Sequence, residues 1–245
     1  VGDKSYQGEL KSFYVQAKND DKLDLLKNLI YKLGNEPTII FCNHREAVER
    51  INDLLFEHGI PTGIFHGALK QEHRERELIK LRNQSSNILL ATDLASRGID
   101  IPSIKNVIHY QLPPKEDAFI HRNGRTARME ANGNSFIVLK AGEKLPDFAP
   151  AEIEEFSISA HSDIDLTTDY VTMYLNLGKK NKINKVDIVG LFYKKGGLVN
   201  DELGKIEVLD YCAYVAVKRT KSKELMRVLK KEKIKKQSFI VAVSR

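Results

Sequence analysis

The 245-residue chain predicts an α/β fold: a mostly parallel sheet flanked by helices, then a small β-α-β-β-α-β domain of ferredoxin-like arrangement. Three observations carry this. Short, continuously apolar runs alternate with amphipathic segments over the first part of the chain, as strands buried on both faces require. The charge then changes sign: residues 1–169 hold 21 Lys and Arg against 26 Asp and Glu, a balance of −5, whereas residues 170–245 hold 18 against 7, a balance of +11. Within the basic part, strand-like runs bracket two helical segments in the order β-α-β-β-α-β.

The elements follow in order. "DDKLDLLKNLIYKLG" places Leu23, Leu26, Ile30 and Leu33 on one helical face, with Gly34 as a stop. "PTIIFCN" is a buried strand. "NHREAVERINDLLFEHG" is a helix with Asn43 as its cap, Val48, Ile51 and Leu55 inward, and Gly59 at its end. "IPTGIFHG" is a strand, and "KQEHRERELIKLRNQ" a charged helix with Leu78, Ile79 and Leu81 inward. "NILLATD" and "NVIHYQL" are strands separated by the loop "LASRGIDIPS". "EDAFIHRNGR" is helical, and "GNSFIVLK" is one more strand.

A connector, acidic and poor in apolar periodicity, begins near residue 145. We place the first domain at 1–160, a linker at 161–168 and the second domain at 169–245. In the second, "YVTMYLNLG" is a strand and "NKVDIVGLFYKKGG" a short helix with Val186, Val189 and Leu191 or Phe192 inward. "GKIEVLD" and "YCAYVAVK" are strands joined tightly around Asp210. "KSKELMRVLKKE" is a helix with Leu225, Val228 and Leu229 on its apolar side, and "QSFIVAVSR" is the last strand.

No run approaches the roughly 18 consecutive apolar residues of a membrane span, so no membrane association is expected. The first residues lack a signal pattern and do not begin with Met, which reads as a piece of a longer protein. Cys42 and Cys212 each lie in apolar surroundings, and we expect two buried, reduced thiols in a cytoplasmic protein rather than a disulfide or metal site. The strongly basic tail points to a polyanion partner.

Two segments could carry chemistry in the first domain. "ATDLASRGID" follows a buried strand, so Thr92 and Asp93 fall at the strand's carboxyl end, where ligands gather in parallel sheets. Gly98 permits close backbone approach, and Arg97 and Asp100 set opposite charges beside it. Asp100 could accept from a ribose hydroxyl, and Thr92 could donate to a phosphate. "HRNGRTAR" carries Arg122, Arg125 and Arg128 at a spacing of three, and on a helical turn Arg125 and Arg128 share a face. Guanidinium groups match phosphate oxygens in fork geometry and can stabilise a transferring phosphoryl group. The bland readings are an ordinary salt bridge and a structural ion-pair cluster.

Together, "IIFCN", "HGALKQEHR", "ATDLASRGID" and "HRNGRTAR", in this order, resemble the later motifs of DEAD-box ATP-dependent RNA helicases, in their second RecA-like domain, over residues 1 to about 160. The resemblance implies a RecA-like sheet and ATP and RNA as ligands. Arg125 and Arg128 would be the arginine fingers at the γ-phosphate, Asp100 and Gly98 would lie at the nucleotide, and His121 would link the nucleotide site to the opposite domain. Asn43, Gly67, Arg74, Thr92 and Arg97 would meet RNA. The family usually has isoleucine and glycine where this chain has Asn123 and Ala127. No G-x-x-x-x-G-K-[ST] phosphate cradle and no paired-carboxylate "DEAD" stretch occurs in the chain. Mg²⁺ and most of the ATP site would then belong to a first RecA-like domain, a partner in cis, and this chain alone is expected to be inactive as an ATPase.

In the tail, "MYLNLG" and "DYCAYVAV" resemble the two RNA-binding strands of an RRM. Tyr174 and Tyr214 would lie on the open sheet face with Asp210 and Cys212, and Ala213, Val215 and Val217 in the core. Asp210 and Cys212 stand where a basic residue and an aromatic are usual. The loop "GKKNKINK", with Lys179, Lys180, Lys182 and Lys185, is a candidate for phosphate neutralisation. "GKKNKI", "DIVG", "LGKI" and "YVAV" after such a core resemble the DbpA/YxiN subfamily. That implies a hairpin of 23S ribosomal RNA, or pre-50S particles, as target and a role in large-subunit assembly. A non-catalytic RNA-binding or annealing protein that uses a RecA-like scaffold is the alternative.

Overall fold

A computed structural model describes residues 9–93, 104–126, 132–158 and 164–244. They form two compact units, one running to Glu77 and resuming over Asn87–Thr167, the other made of Leu78–Ser86 and the chain from Thr168 onward.

The first unit is built on a seven-stranded sheet in the order β3-β4-β2-β5-β6-β1-β7, parallel throughout. Its strands are β1 (Leu10–Gln16), β2 (Thr38–Cys42), β3 (Gly63–Phe65), β4 (Ile88–Thr92), β5 (Asn106–His109), β6 (Gly133–Leu139) and β7 (Glu154–Glu155). Its helices are α1 (Leu23–Leu33), α2 (Arg45–Glu57), the first part of α3 (Gln71–Arg82), whose residues from Leu78 on belong to the other unit, and α4 (Glu116–Asn123). The central strands β2, β4 and β5 are buried at every residue, which is why they are continuously apolar with little alternation. Leu26, Leu29 and Ile30 of α1 and Val48, Ile51 and Leu55 of α2 seal the core. Gly34 stops α1 at φ +65°, a conformation that suits glycine.

Several expectations are corrected. The first strand, β1, was not anticipated: "LKSFYVQ" is only partly buried and shows neither clean alternation nor a continuous apolar run. The connector contains a two-residue strand, β7, paired with β1. Asn43 does not cap α2; the position before the helix is His44, without a side-chain cap, because the Asn43 side chain is engaged elsewhere. The α4 helix ends at Asn123, so Arg125 is not on it. Gly124 and Arg125 form a turn, and Thr126 is drawn away by a parallel bridge to Ile104, whose carbonyl accepts from the Thr126 hydroxyl.

The second unit has an antiparallel sheet in the order β11-β8-β10-β9, the ferredoxin-like arrangement. Its strands are β8 (Tyr170–Leu175), β9 (Leu203–Val208), β10 (Ala213–Lys218) and β11 (Val241–Val243). The helices α5 (Lys185–Gly190) and α6 (Arg219–Leu229) cover one face. Asn184 begins α5 through a reciprocal pair: the Asp187 N–H donates to its side chain at 3.0 Å, and its own N–H donates to Asp187 Oδ2 at 2.9 Å. The helix continues into a π turn, Leu191–Lys195. Ile188, Leu191 and Phe192 point inward, whereas Val186 is 77% exposed, contrary to expectation. The widened turn and the position of Ile188, not Val186, set which side faces the sheet. Ala213, Val215 and Val217 are in the core as expected.

Candidate functional site: the clamp beneath the arginine segment

Parallel register brings three strand ends together. Cys42 lies beside Thr92, and Phe41 beside His109. The residues that follow β2, β4 and β5, namely Asn43, Asp93 and Gln111, therefore converge at the carboxyl edge of the sheet, and α4 presents Phe119, Arg122 and Asn123 to them on its buried side.

Arg122 is buried to 1% exposure, and its donors meet acceptors on all sides. Nε and Nη2 donate to Asp93 Oδ1 and Oδ2 at 2.6 and 2.8 Å. Nη1 donates to the Gln111 carbonyl at 2.7 Å, and Nη2 also donates to Asn43 Oδ1 at 2.8 Å. The guanidinium lies 5.1 Å from the Phe41 ring centre. Asn43 completes the frame: its Nδ2 donates to the Leu112 carbonyl at 2.9 Å, and its N–H donates to Gln111 Oε1 at 2.8 Å. The first of the three arginines thus faces a carboxylate of its own chain.

Next to it, Asn123 Oδ1 accepts from Ser135 Oγ at 2.8 Å and lies 2.9 Å from His109 Nε2. His109 is stacked on Phe119 with ring centres 4.5 Å apart. Burial, opposed by the Asn123 contact and aided by the Arg122 charge, pushes its pKa down to about 3, so the ring is neutral and Nε2–H donates to Asn123. The polar Asn123, in place of the family's usual isoleucine, serves two buried polar groups.

These anchors hold the base of the turn that carries Arg125, whose N–H donates to the Arg122 carbonyl at 3.1 Å. Arg125 is half-buried and His121 exposed. Thr92 is buried at the end of β4, Gly67 is exposed after β3, and Arg74 is half-buried in α3. Arg97, Gly98, Asp100 and Arg128 lie outside the described residues. Sequence reasoning missed the Asp93–Arg122 pair, since nothing local to either residue announces the other; only the strand register does. Cys42 is enclosed beside this clamp, and burial pushes its thiol up to about 12. Cys212 is half-exposed, which corrects the expectation of two buried thiols.

In the second unit, Tyr174 and Tyr214 are direct cross-strand partners with ring centres 5.6 Å apart. Tyr214 is only 7% exposed, so the open-face reading of it is corrected. Lys179, Lys180, Lys182 and Lys185 are all exposed. Among the described residues no group of three or more His, Cys, Asp or Glu side chains could hold a metal ion, and no helix is long and apolar enough to cross a membrane.

Comparison with known proteins agrees with both units. Residues 21–130 match the Helicase conserved C-terminal domain, and residues 172–243 match the DbpA RNA binding domain. The ATP-dependent RNA helicase DbpA of Bacillus subtilis is 29% identical over 90% of this chain, and that of Escherichia coli 30% identical over 91%. The chain spans about half the length of these curated relatives, 52% and 50%. Among solved structures, the E. coli DEAD-box protein SrmB, bound to the regulator of ribonuclease activity A, has a TM-score of 0.56 at 29% identity. That match covers 62% of this chain and 93% of SrmB's. S. cerevisiae Dbp5, bound to RNA and ADP BeF3, has a TM-score of 0.53 at 28% identity, covering 60% of this chain and 41% of Dbp5's. A helicase C-terminal domain and a DbpA RNA-binding domain in one chain, with DbpA helicases matching across nine-tenths of it, place the protein in the DbpA-like group of the DEAD-box family.

Proposed function

We propose that the chain is the C-terminal part of an ATP-dependent RNA helicase, a second RecA-like half joined to an RNA-binding tail, with domains at 1–160 and 169–245 and a linker between. The observation that carries this reading is the use of Arg122. It is consumed by Asp93, Asn43 and Gln111, and so fixes the turn on which Arg125 stands. A guanidinium on an anchored turn is preorganised to meet developing phosphate charge without rearranging.

Among the described residues, Arg125 offers a guanidinium on a turn held by buried hydrogen bonds, which suits the anionic end of ATP. ATP with Mg²⁺ supplies the cleavable phosphoanhydride. In this proposal Arg125 and Arg128 donate to the γ-phosphate, Asp100 and Gly98 adjoin the nucleotide, and His121 communicates with the first RecA-like domain, which holds the metal. Asn43, Gly67, Arg74, Thr92 and Arg97 form the core's RNA contact. The side-chain amide of Asn43 is already held at both ends, so its contribution would come from placing the segment that follows β2. The tail tethers the core to its RNA and raises the local RNA concentration.

The test is RNA-stimulated ATP turnover by the full-length protein. Arg125→Ala should lower it on the order of 10³-fold while RNA affinity holds. Unchanged turnover would reject the finger assignment and leave Arg125 a structural role, whereas no RNA-stimulated turnover by the full-length parent would favour a non-catalytic RNA-binding scaffold. For the target we propose a 23S ribosomal RNA hairpin near the peptidyl transferase centre, and large-subunit assembly as the setting. Preference of the chain for that hairpin over a scrambled one across a salt series tests it, and equal binding would remove the ribosomal assignment.

A further inference from the structure

Three separate segments of the second unit are stitched together at one end of its sheet. The Lys179 and Lys180 N–H groups donate to the Leu209 and Asp210 carbonyls, each at 2.8 Å. Gln237 Nε2 donates to the Asn181 carbonyl at 3.1 Å, and Lys235 Nζ donates to the Lys182 carbonyl at 2.8 Å and pairs with Asp187 at 2.7 Å. The approach is close enough that a Cβ at Gly178 would lie 2.3 Å from the Leu209 carbonyl oxygen. The surface is thus held together as one piece.

Two features of this end are unexplained by folding alone. The β9–β10 connection closes with Leu209 N–H to the Cys212 carbonyl at 2.8 Å, which leaves Asp210 and Tyr211 at the apex. Tyr211 is 71% exposed, a large aromatic on a tight turn next to the Lys179–Lys180 backbone. Second, Ile234 and Gln237 exchange both backbone hydrogen bonds, so Lys235 and Lys236 are the two central residues of a turn, at φ +48° and +66°. Both angles positive is the type I′ arrangement, which strongly prefers Asn-Gly. Lys182 in the neighbouring segment is also left-handed, at φ +59°. Lysine at such positions is strained where asparagine or glycine is not, and strain of this kind gathers at functional sites. Lys235 acts as a strut, whereas Lys236 is exposed.

We propose that this end of the sheet, distinct from the Tyr174–Tyr214 face, is a composite RNA site. Tyr211 stacks one unpaired base, and Lys179, Lys180 and Lys236 hold the flanking phosphates. Such a site selects a stem-loop or bulge, which offers a free base beside an ordered backbone, over a plain duplex. The inference rests on the tail's RNA-binding reading and deepens it.

The test uses the full chain with a stem-loop RNA carrying 2-aminopurine in its loop, and the blunt duplex of the same stem. Tyr211→Ala should weaken stem-loop binding about tenfold to a hundredfold and abolish the fluorescence quench, with duplex affinity unmoved. Tyr211→Phe should bind like the parent. Lys236→Gly, which relieves the turn, should raise the melting temperature yet weaken binding and flatten the salt slope by roughly 0.7 to 0.9. Unaltered stem-loop binding by Tyr211→Ala, beside a loss in Lys179→Gln/Lys180→Gln, overturns this site and leaves tail RNA binding intact. No binding of either RNA by the parent chain overturns both.

Discussion

Arg122 grips both carboxylate oxygens of Asp93, at 2.6 and 2.8 Å, from the buried side of a helix to the end of a strand 29 residues earlier. Breaking the pair strands the Gln111 carbonyl and the Asn43 Oδ1 acceptor together with Asp93, a carboxylate that is itself 27% exposed and so can be partly rehydrated. Arg122→Ala should destabilise the protein by about 1–3 kcal/mol, the cost of stranding those acceptors. Arg122→Lys should recover little, since a single ammonium cannot reproduce the fork that reaches Asp93, Gln111 and Asn43 together. Urea denaturation of the three proteins decides this. Equal stability of the Lys variant and the parent would show that charge alone suffices.

His109 predicts an acid-sensitive fold. Its folded pKa, about 3, lies below the ordinary histidine value because burial disfavours the charged ring. The unfolded chain therefore takes up the proton first as pH falls. The stabilisation is full above about pH 6.5 and is lost progressively toward pH 3, with a slope of up to about 1.4 kcal/mol per pH unit from this one group. His109→Phe keeps an aromatic against Phe119 and removes the titration. Its stability should fall less steeply across that window in denaturation curves at a series of pH values. Parallel slopes would show that His109 does not control acid sensitivity.

Asn123 tests whether a departure from the family's usual residue has a local cause. Asn123→Ile would take the acceptor from His109 and Ser135 in the interior. A loss of about 1–3 kcal/mol is expected for the stranded donors. Ser135→Ala in the same background should return part of it, because one donor no longer needs a partner. Additive single and double variants in the denaturation cycle would separate the two residues energetically.

The contrast between Arg122 and Arg125 also marks what the sequence could convey. Helices with apolar residues at helical spacing, and strands apolar at every position, were legible because burial imposes those patterns locally. The arginine segment was legible as a phosphate-binding candidate through its motif. What was hidden depends on strand order. Asp93 and Gln111 meet Arg122 only because β4, β2 and β5 are neighbours, and β1 is a strand because β6 lies beside it. The end of α4 was misplaced for the same reason: Thr126 leaves the helix for Ile104, a contact no local pattern encodes. Alternation along β10 predicts an open Tyr214, yet it is buried, a property of the folded unit that no local pattern encodes.

Gly178 gives the sharpest steric prediction. A Cβ there would meet the Leu209 carbonyl oxygen at 2.3 Å and the Asp210 carbonyl carbon and oxygen at 2.7 Å, all backbone atoms that cannot rotate away. Gly178→Ala must therefore push the β8–α5 segment off the β9–β10 turn and weaken the Lys179 and Lys180 hydrogen bonds to it. A loss of about 1–3 kcal/mol is expected, as for overpacking elsewhere. Gly190, the last residue of α5, is the control: it has helical dihedrals, and no atom would lie within 4 Å of its Cβ. Gly190→Ala should stabilise by up to about 1 kcal/mol through helix propensity. Thermal denaturation of the two variants should move in opposite directions. If both rise, the loops separate without cost, and the joined surface at this end of the sheet is not what holds them.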